Sequence, residues 1–201
     1  MRLFFTPGSP YARIVRVALL ETGLDAGVSK QAVTLRDPAS ALLPFNAVGR
    51  VPTLELDDGT ILTESLSILT YIDTRHNGRP LLPRDGSDGW RTLAELGAAA
   101  GMMEGIVAWG RELRRPVHER SPGLIALETT RANRSGDELE KTIAGGGYMG
   151  PMNSAHILLG CALGWVDRNA FWKWREGRPA LADWFDRIAA APSFQATVPP
   201  A

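Results

Sequence analysis

Apolar and polar residues alternate at short spacing in the first part of the chain, and the pattern predicts mixed strands and helices. Residues 2–5 (RLFF) predict a short buried strand, which the Pro and Gly of residues 7–10 end. A helix follows, with Ser9 as its N-cap and Gly23 at its C-terminus, because apolar residues recur there at helical spacing. Residues 31–35 predict a second strand.

The next apolar run predicts a β-hairpin with strands at residues 51–56 and 60–63. Residues 37–49 before it show no sustained period, apart from a single helical turn near residues 40–43. A helix is predicted over residues 65–76. Its core-facing positions recur at three-residue spacing and are Leu66, Leu69 and Ile72.

Only helical periodicity remains beyond Asn77. Residues 77–89 are rich in Gly, Pro and Asp, which indicates a linker. The helices predicted after it span residues 89–115, 123–144, 153–168 and 179–191. We therefore predict an α/β domain at residues 1–78, a linker at 79–88 and an all-α domain at 89–201.

The charge and cysteine content of the chain limit the classes of partner and of metal site that are expected. Its 22 basic and 22 acidic residues cancel, so no global positive field favours nucleic acid or anionic lipid. No apolar span near the start is long enough for a signal peptide or a membrane helix, which predicts a cytoplasmic protein. The single cysteine, Cys161, excludes an internal disulfide, and the three histidines are too far apart for a local metal motif. We expect no nucleic acid, membrane or metal partner.

Three segments in this order resemble the glutathione transferase superfamily. They are residues 9–16 (SPYARIVR), 45–54 (FNAVGRVPTL) and 63–69 (TESLSIL), and the end of the chain is similar to the final helix of bacterial members. The resemblance covers nearly the whole chain. It implies an α/β plus all-α fold, with a thioredoxin-like N-terminal domain followed by an all-helical domain. It also implies a homodimer and glutathione as co-substrate.

Ser9 occupies the position at which the family places the serine or cysteine that stabilises the glutathione thiolate. The thiolate is the nucleophile, and only about 3% of an ordinary thiol is ionised at pH 7. A hydrogen bond to the charged sulfur is worth roughly 1.5 to 3 kcal/mol, enough to lower the thiol pKa by about one to two units. Local sequence alone also allows a simple helix cap, and the hydroxyls of Thr6 and Tyr11 are alternative donors.

The resemblance assigns the other glutathione contacts. Val51–Pro52 resembles the family's cis-proline turn, in which the main chain of the residue before Pro52 pairs with glutathione. Glu64 and Ser65 would hold the γ-glutamyl end at a helix N-terminus, unless Thr63 or Ser65 only caps that helix. Arg50 stands where relatives have lysine and would meet the glycyl carboxylate, or else lies on the solvated surface.

A second substrate would lie against the helical domain. The side chains expected in its cleft are those of Tyr11, Met102, Met103 and Trp109, with core packing as the alternative for the methionines and the tryptophan. Gly97, Gly101 and Gly105 leave one face of a helix without side-chain bulk. Another helix, a partner subunit or a substrate is expected to approach that face.

One departure from the family concerns a capping box. Relatives carry Ser/Thr-x-x-Asp at the start of the helix near residue 153, whereas this chain has Asn153-Ser154-Ala155-His156. Asn153 is a good cap, but His156 cannot supply the carboxylate.

These observations give one expected function and one alternative. The first is an enzyme that binds glutathione, stabilises its thiolate and transfers it to a small electrophile, as in detoxification. The alternative is a non-catalytic glutathione-binding or scaffold protein of the same fold. Dithiol exchange is excluded, because Ser9-Pro10-Tyr11-Ala12 stands where thioredoxins have Cys-x-x-Cys.

Overall fold

The computed structural model describes residues 1–82 and 86–199, which divide into two compact units. The first comprises Met1–Leu82 and the segment that begins at Pro192, and the second comprises the helices between them. The predicted boundaries assign the segment from Pro192 to the helical domain, so the two divisions differ there. Residues 83–85 of the predicted linker and 200–201 of the predicted helical domain lie outside the described residues.

The first unit is built on a four-stranded sheet with the strand order β2-β1-β3-β4. The strands are β1 (Arg2–Phe5), β2 (Ser29–Ala32), β3 (Thr53–Glu55) and β4 (Ile61–Thr63). β1 runs parallel to β2 and antiparallel to β3, and β4 is antiparallel to β3. This is the arrangement that a thioredoxin-like domain requires.

Two helices pack with this sheet, α1 (Pro10–Glu21) and α2 (Ser65–Ile72). Helix α1 ends at a left-handed turn at Gly23, where the Gly23 and Leu24 N–H groups donate back to carbonyls of the last helical turn. Apolar side chains from the strands and both helices form the core. Those with no exposed surface include Leu3, Phe4, Ile14, Val17, Leu54, Ile68 and Leu69.

The second strand was predicted at residues 31–35 and lies at Ser29–Ala32 instead. Its register explains the shift, because β1 pairs residue for residue from Arg2 opposite Ser29 to Phe5 opposite Ala32. Near residues 40–43, where a single helical turn was predicted, the chain turns but forms no regular helix. That stretch forms hydrogen-bonded turns, one of them closed by the Leu43 N–H on the Ser40 carbonyl at 3.1 Å.

Helix α2 was predicted to run to residue 76 and ends at Ile72. The Asp73 carboxylate accepts hydrogen bonds from the Leu81 and Leu82 N–H groups at 2.6 and 3.1 Å, which folds the following segment back onto the helix end. Leu66 was predicted to face the core but is 40% exposed, and Ile68 is buried in its place.

The second unit contains only helices, apart from its loops, in the part of the chain that is described. They are α3 (Gly86–Leu113), α4 (Pro122–Ala144), α5 (Ser154–Asn169) and α6 (Pro179–Ala189). Helix α3 begins within the predicted linker and ends two residues before the predicted end. The short helix α7 (Pro192–Gln195) returns to the first unit. None of the described helices is both long and apolar enough to cross a membrane.

Candidate active site

The topology of the sheet brings three predicted segments to one of its ends. Phe4 lies opposite Thr53 in the β1–β3 pair, and Thr53 lies opposite Thr63 in the β3–β4 pair. In antiparallel pairs the end of one strand meets the start of the next. The segments that meet at this end are therefore the loop to Ser9, the turn Val51–Pro52 and the pair Glu64–Ser65.

Ser9 is half-buried and caps helix α1. Its hydroxyl oxygen accepts a hydrogen bond from the Ala12 N–H at 3.2 Å, and its own N–H donates to the Thr6 carbonyl at 3.1 Å. A serine hydroxyl has one proton to donate and two lone pairs, so the cap occupies a lone pair and leaves the proton available. The capping role and a thiolate-stabilising role are therefore compatible.

The N-terminus of α2 lacks a side-chain cap. Its N-cap residue is Glu64, which makes no capping hydrogen bond and adopts a φ of 66° and a ψ of 131°. Such a conformation costs a non-glycine residue about 1 to 3 kcal/mol and is concentrated at functional sites. In the described residues neither Thr63 nor Ser65 caps this helix, so the capping alternative is wrong. In the described residues the first turn of α2 is therefore not capped by the side chain of its N-cap residue, and uncapped N–H groups at a helix start are a common anion-binding arrangement.

The Val51–Pro52 peptide bond is cis, which confirms the predicted geometry of this turn. Both residues are buried. Among the described residues, neither the N–H nor the carbonyl of Val51 has a hydrogen-bond partner. A main-chain donor and acceptor on one residue are the groups to which an extended peptide ligand adds as a further strand.

Asn46 and Thr53 shape the loop before the cis-proline, and sequence reasoning gave neither residue a role. The Asn46 side-chain amide donates to the Arg50 carbonyl and to the Thr53 hydroxyl, each at 3.0 Å. The Thr53 hydroxyl in turn donates to the same carbonyl at 2.9 Å. The sequence signal for this role was an asparagine in an irregular loop. The side-chain carbonyl of such an asparagine often accepts from the N–H two residues on, and here the Asn46 side chain accepts from the Val48 N–H.

The remaining first-unit candidates lie at or near the surface. The Arg50 side chain is exposed, although its carbonyl is held inside the loop. Thr6 and Tyr11 are half-buried on either side of Ser9. Both stay alternative hydroxyl donors.

Met102, Met103 and Trp109 are all buried in the helical unit on α3. The Trp109 and Phe171 rings form a T-shaped pair with 4.9 Å between centroids, and Met102 lines a cavity of about 400 Å³ between α3 and α4. Their burial is what the core-packing alternative expects, and their place in a substrate cleft stays a prediction.

The glycine face of α3 has a close neighbour at one position only. A Cβ at Gly105 would come within 2.6 Å of a Glu128 carboxylate oxygen on α4, so another helix does approach there. At Gly97 and Gly101 an added Cβ would have no described atom within 4 Å.

Known proteins share both the sequence pattern and the fold. The glutathione S-transferase N-terminal domain family matches residues 3–80. The crystal structure of a glutathione transferase family member from Pseudomonas fluorescens Pf-5, with bound glutathione, is 36% identical at a TM-score of 0.89, and the match covers 100% of this chain and 99% of that one. The chain belongs to the glutathione S-transferase superfamily. A superfamily member from Methylobacillus flagellatus KT, also with glutathione bound, is 28% identical at a TM-score of 0.90 over 99% of each chain.

A further relative of this glutathione S-transferase superfamily member matches it from end to end. The uncharacterised GST-like protein YibF of Escherichia coli K12 is 28% identical over 202 residues, which cover 100% of this chain and 99% of that protein. The predicted fold, a thioredoxin-like domain followed by an all-helical domain, is confirmed by the solved relatives.

Proposed function

We propose that this protein is a glutathione transferase that stabilises the glutathione thiolate with the Ser9 hydroxyl and transfers it to a small electrophile. The observation that carries the proposal is the state of that hydroxyl. Its oxygen is fixed by the Ala12 N–H at the start of α1, and its proton remains to be donated. Lowering a thiol pKa by about two units requires about 2.7 kcal/mol, which one hydrogen bond to a charged group and a helix N-terminus together supply.

The rest of the tripeptide is assigned to the same end of the sheet. The Val51 main chain pairs with the cysteinyl residue of glutathione. The Ser65 hydroxyl and the first N–H groups of α2 hold the γ-glutamyl carboxylate, while Glu64 accepts from its ammonium group. The exposed Arg50 guanidinium meets the glycyl carboxylate. Relatives crystallised with glutathione support this assignment.

The proposal also includes the oligomeric state, the location and the biological role of the protein. A homodimer in the cytoplasm, active in the detoxification of electrophiles, agrees with the superfamily and with the balanced charge of the chain. Sedimentation equilibrium of the purified protein tests the oligomeric state directly.

Thermal unfolding with and without glutathione tests the binding part of the proposal. Glutathione at about 100 times its Kd should stabilise the folded protein by about 2.7 kcal/mol through mass action. Ser65→Ala should reduce that stabilisation at the same ligand concentration. Ser67→Ala is the matched control, because the Ser67 side chain is exposed on the same helix and has no proposed ligand contact, and the substitution keeps the Ser67 N–H.

Turnover separates the enzyme from a binding protein. The purified protein should consume glutathione with at least one of an aryl halide, an isothiocyanate or a peroxide. Stabilisation by glutathione without turnover of any of these would favour the non-catalytic alternative. If glutathione does not stabilise the protein at all, the enzyme and the glutathione-binding alternative are both contradicted, and only the scaffold alternative stands.

A further inference from the structure

Arg13 is a buried cation on α1, four residues after Ser9. It is 8% exposed, and its guanidinium donates from Nη2 to the Phe194 carbonyl at 3.0 Å and from Nε to the Thr197 hydroxyl at 3.3 Å. The guanidinium carbon also lies 5.3 Å from the centroid of the Phe194 ring. The first part of α1 is thus attached to the end of the chain, here called the C-terminal segment (residues 192–199).

The C-terminal segment is itself ordered by internal hydrogen bonds. The Thr197 hydroxyl donates to the Ser193 carbonyl at 2.9 Å, which holds its oxygen in place to accept from Arg13. The Ser193 hydroxyl donates to the Glu21 carboxylate in the last turn of α1. The segment therefore contacts α1 near both of its ends, at Arg13 and at Glu21.

The acceptors around Arg13 are neutral. Within the described residues Arg13 has no carboxylate partner, and it contacts a carbonyl, a hydroxyl and an aromatic ring. An arginine side chain stays protonated in proteins, so these neutral groups accept from its Nε and Nη2 without cancelling its charge.

Arg13 is also coupled to Ser9 through the backbone. The Arg13 N–H donates to the Ser9 carbonyl at 3.0 Å, so both residues belong to the same hydrogen-bonded turn. Residues four apart lie on the same side of a helix. A shift of the Arg13 anchor would therefore move the cap and the hydroxyl that it orients.

We propose that the C-terminal segment positions Ser9 through Arg13. It fixes the first turn of α1 and holds a positive charge, not neutralised by a carboxylate, on the side of the helix where the glutathione thiolate forms. Arg13 is a positioning residue in this scheme, and Ser9 alone contacts the sulfur. The inference rests on the proposed function, since it concerns the thiolate of that same site.

Ultraviolet titration of the thiolate of bound glutathione tests this scheme. Arg13→Gln should raise the pKa of the bound thiol by about one unit, which leaves about tenfold less thiolate at a pH below that pKa. Arg13→Lys keeps the charge and should recover most of the thiolate. Thr197→Val keeps the Arg13 charge and loosens its anchor, so we expect kcat to fall with a smaller change in pKa. Arg75→Gln, an exposed arginine in the same unit, is the control for removal of a charge.

The outcomes distinguish this inference from the proposed function. A lowered thiol pKa in the wild type that is the same in Arg13→Gln and Thr197→Val would overturn the inference and leave the role of Ser9 intact. An ordinary thiol pKa in the wild type would overturn the proposed function. If Arg13→Gln does not fold, Thr197→Val decides the question, because an unchanged kcat and pKa in that variant would assign the Arg13 anchor to folding alone.

Discussion

At the scale of single residues, the proposed site depends on one hydroxyl with two roles. The Ser9 oxygen caps α1 by accepting from the Ala12 N–H, and in the proposed function its proton is donated to the sulfur of glutathione. A cap of this kind is worth about 1 kcal/mol to the fold. Ser9→Ala should therefore lower both the stability of the protein and the acidity of its bound thiol.

Tyr148 shows how a single buried residue links several helices. Its N–H donates to the Glu95 carboxylate at 2.9 Å and its hydroxyl donates to the Glu95 carbonyl at 2.7 Å, both on α3. Its own carbonyl lies 2.8 Å from a His156 ring nitrogen and accepts from the Trp184 indole at 2.9 Å. Burial first, and then the Glu95 carboxylate, raise the pKa of Tyr148 above its ordinary value.

The raised pKa of Tyr148 predicts a loss of stability in alkali. Above the ordinary tyrosine pKa of about 10, Tyr148 ionises in the unfolded chain but stays protonated in the folded one, so the unfolded state binds fewer protons. The contribution of the raised Tyr148 pKa to stability is fully present below about pH 10. Above that pH the free energy of unfolding falls by up to about 1.4 kcal/mol per pH unit. Tyr148→Phe should lose about 1 kcal/mol at neutral pH, through the hydroxyl hydrogen bond.

Urea unfolding from about pH 9 to about pH 11 checks this linkage. The stability advantage of the wild type over Tyr148→Phe should shrink as the pH rises. A constant difference across this range would show that Tyr148 titrates alike in the folded and unfolded states.

At the scale of elements, the start of α5 shows how this chain replaces a family feature. The Asn153 side-chain oxygen accepts from the His156 N–H at 3.1 Å, which confirms the predicted cap. His156 takes the place of the usual carboxylate, and its ring contacts the Tyr148 carbonyl and stacks on Trp184 with 6.0 Å between centroids. One half of the capping box is thus kept, and the other is exchanged for a contact with a neighbouring loop.

Removing this cap should destabilise the helical unit. Asn153→Ala is expected to cost about 1 to 2 kcal/mol, because a buried N–H of α5 loses its acceptor. Asn153→Asp restores an acceptor and should recover most of the loss. Equal denaturation midpoints for Asn153→Ala and the wild type would rule out a stabilising cap.

Two glycines of α3 predict opposite effects of the same substitution. A Cβ at Gly110 would come within 2.9 Å of Cζ3 of Trp165 and 3.1 Å of Phe171, so Gly110→Ala should cost about 1 to 3 kcal/mol. A Cβ added at Gly97 would have no described atom within 4 Å. Gly97→Ala should therefore stabilise the helix by about 0.5 to 1 kcal/mol, because glycine loses more backbone entropy than alanine on folding. Chemical denaturation of both variants measures the two effects. A loss of stability at Gly97 as large as at Gly110 would contradict the packing of α3.

At the scale of the whole molecule, local sequence predicted the order and type of the elements but not the features that distant residues determine. The caps at Ser9 and Asn153 are local and were predicted. The end of α2 depends on Asp73 binding the N–H groups of Leu81 and Leu82, and the return of the C-terminal segment depends on Arg13. Neither contact has a periodic or spacing signal, because Asp73 binds residues eight and nine positions on, outside any helical or strand period, and Arg13 binds Phe194, 181 positions on.

Two features of the candidate site likewise could not be predicted from local sequence. The cis geometry at Pro52 was expected only from the resemblance, since nothing local favours it over trans. The buried amide of Asn46, which holds the preceding loop, was missed because its partner Thr53 is defined only once β3 has formed.

The pKa of the thiol of bound glutathione tests the central claim most directly. In the wild type we expect a pKa near about 6.5, roughly two units below that of an ordinary thiol. Ser9→Ala should bring the pKa most of the way back toward about 8.5, since only the α1 N-terminus and the Arg13 charge remain, while glutathione still binds through the contacts of the other segments. The same lowered pKa in both proteins, with glutathione bound to each, would show that Ser9 does not stabilise the thiolate.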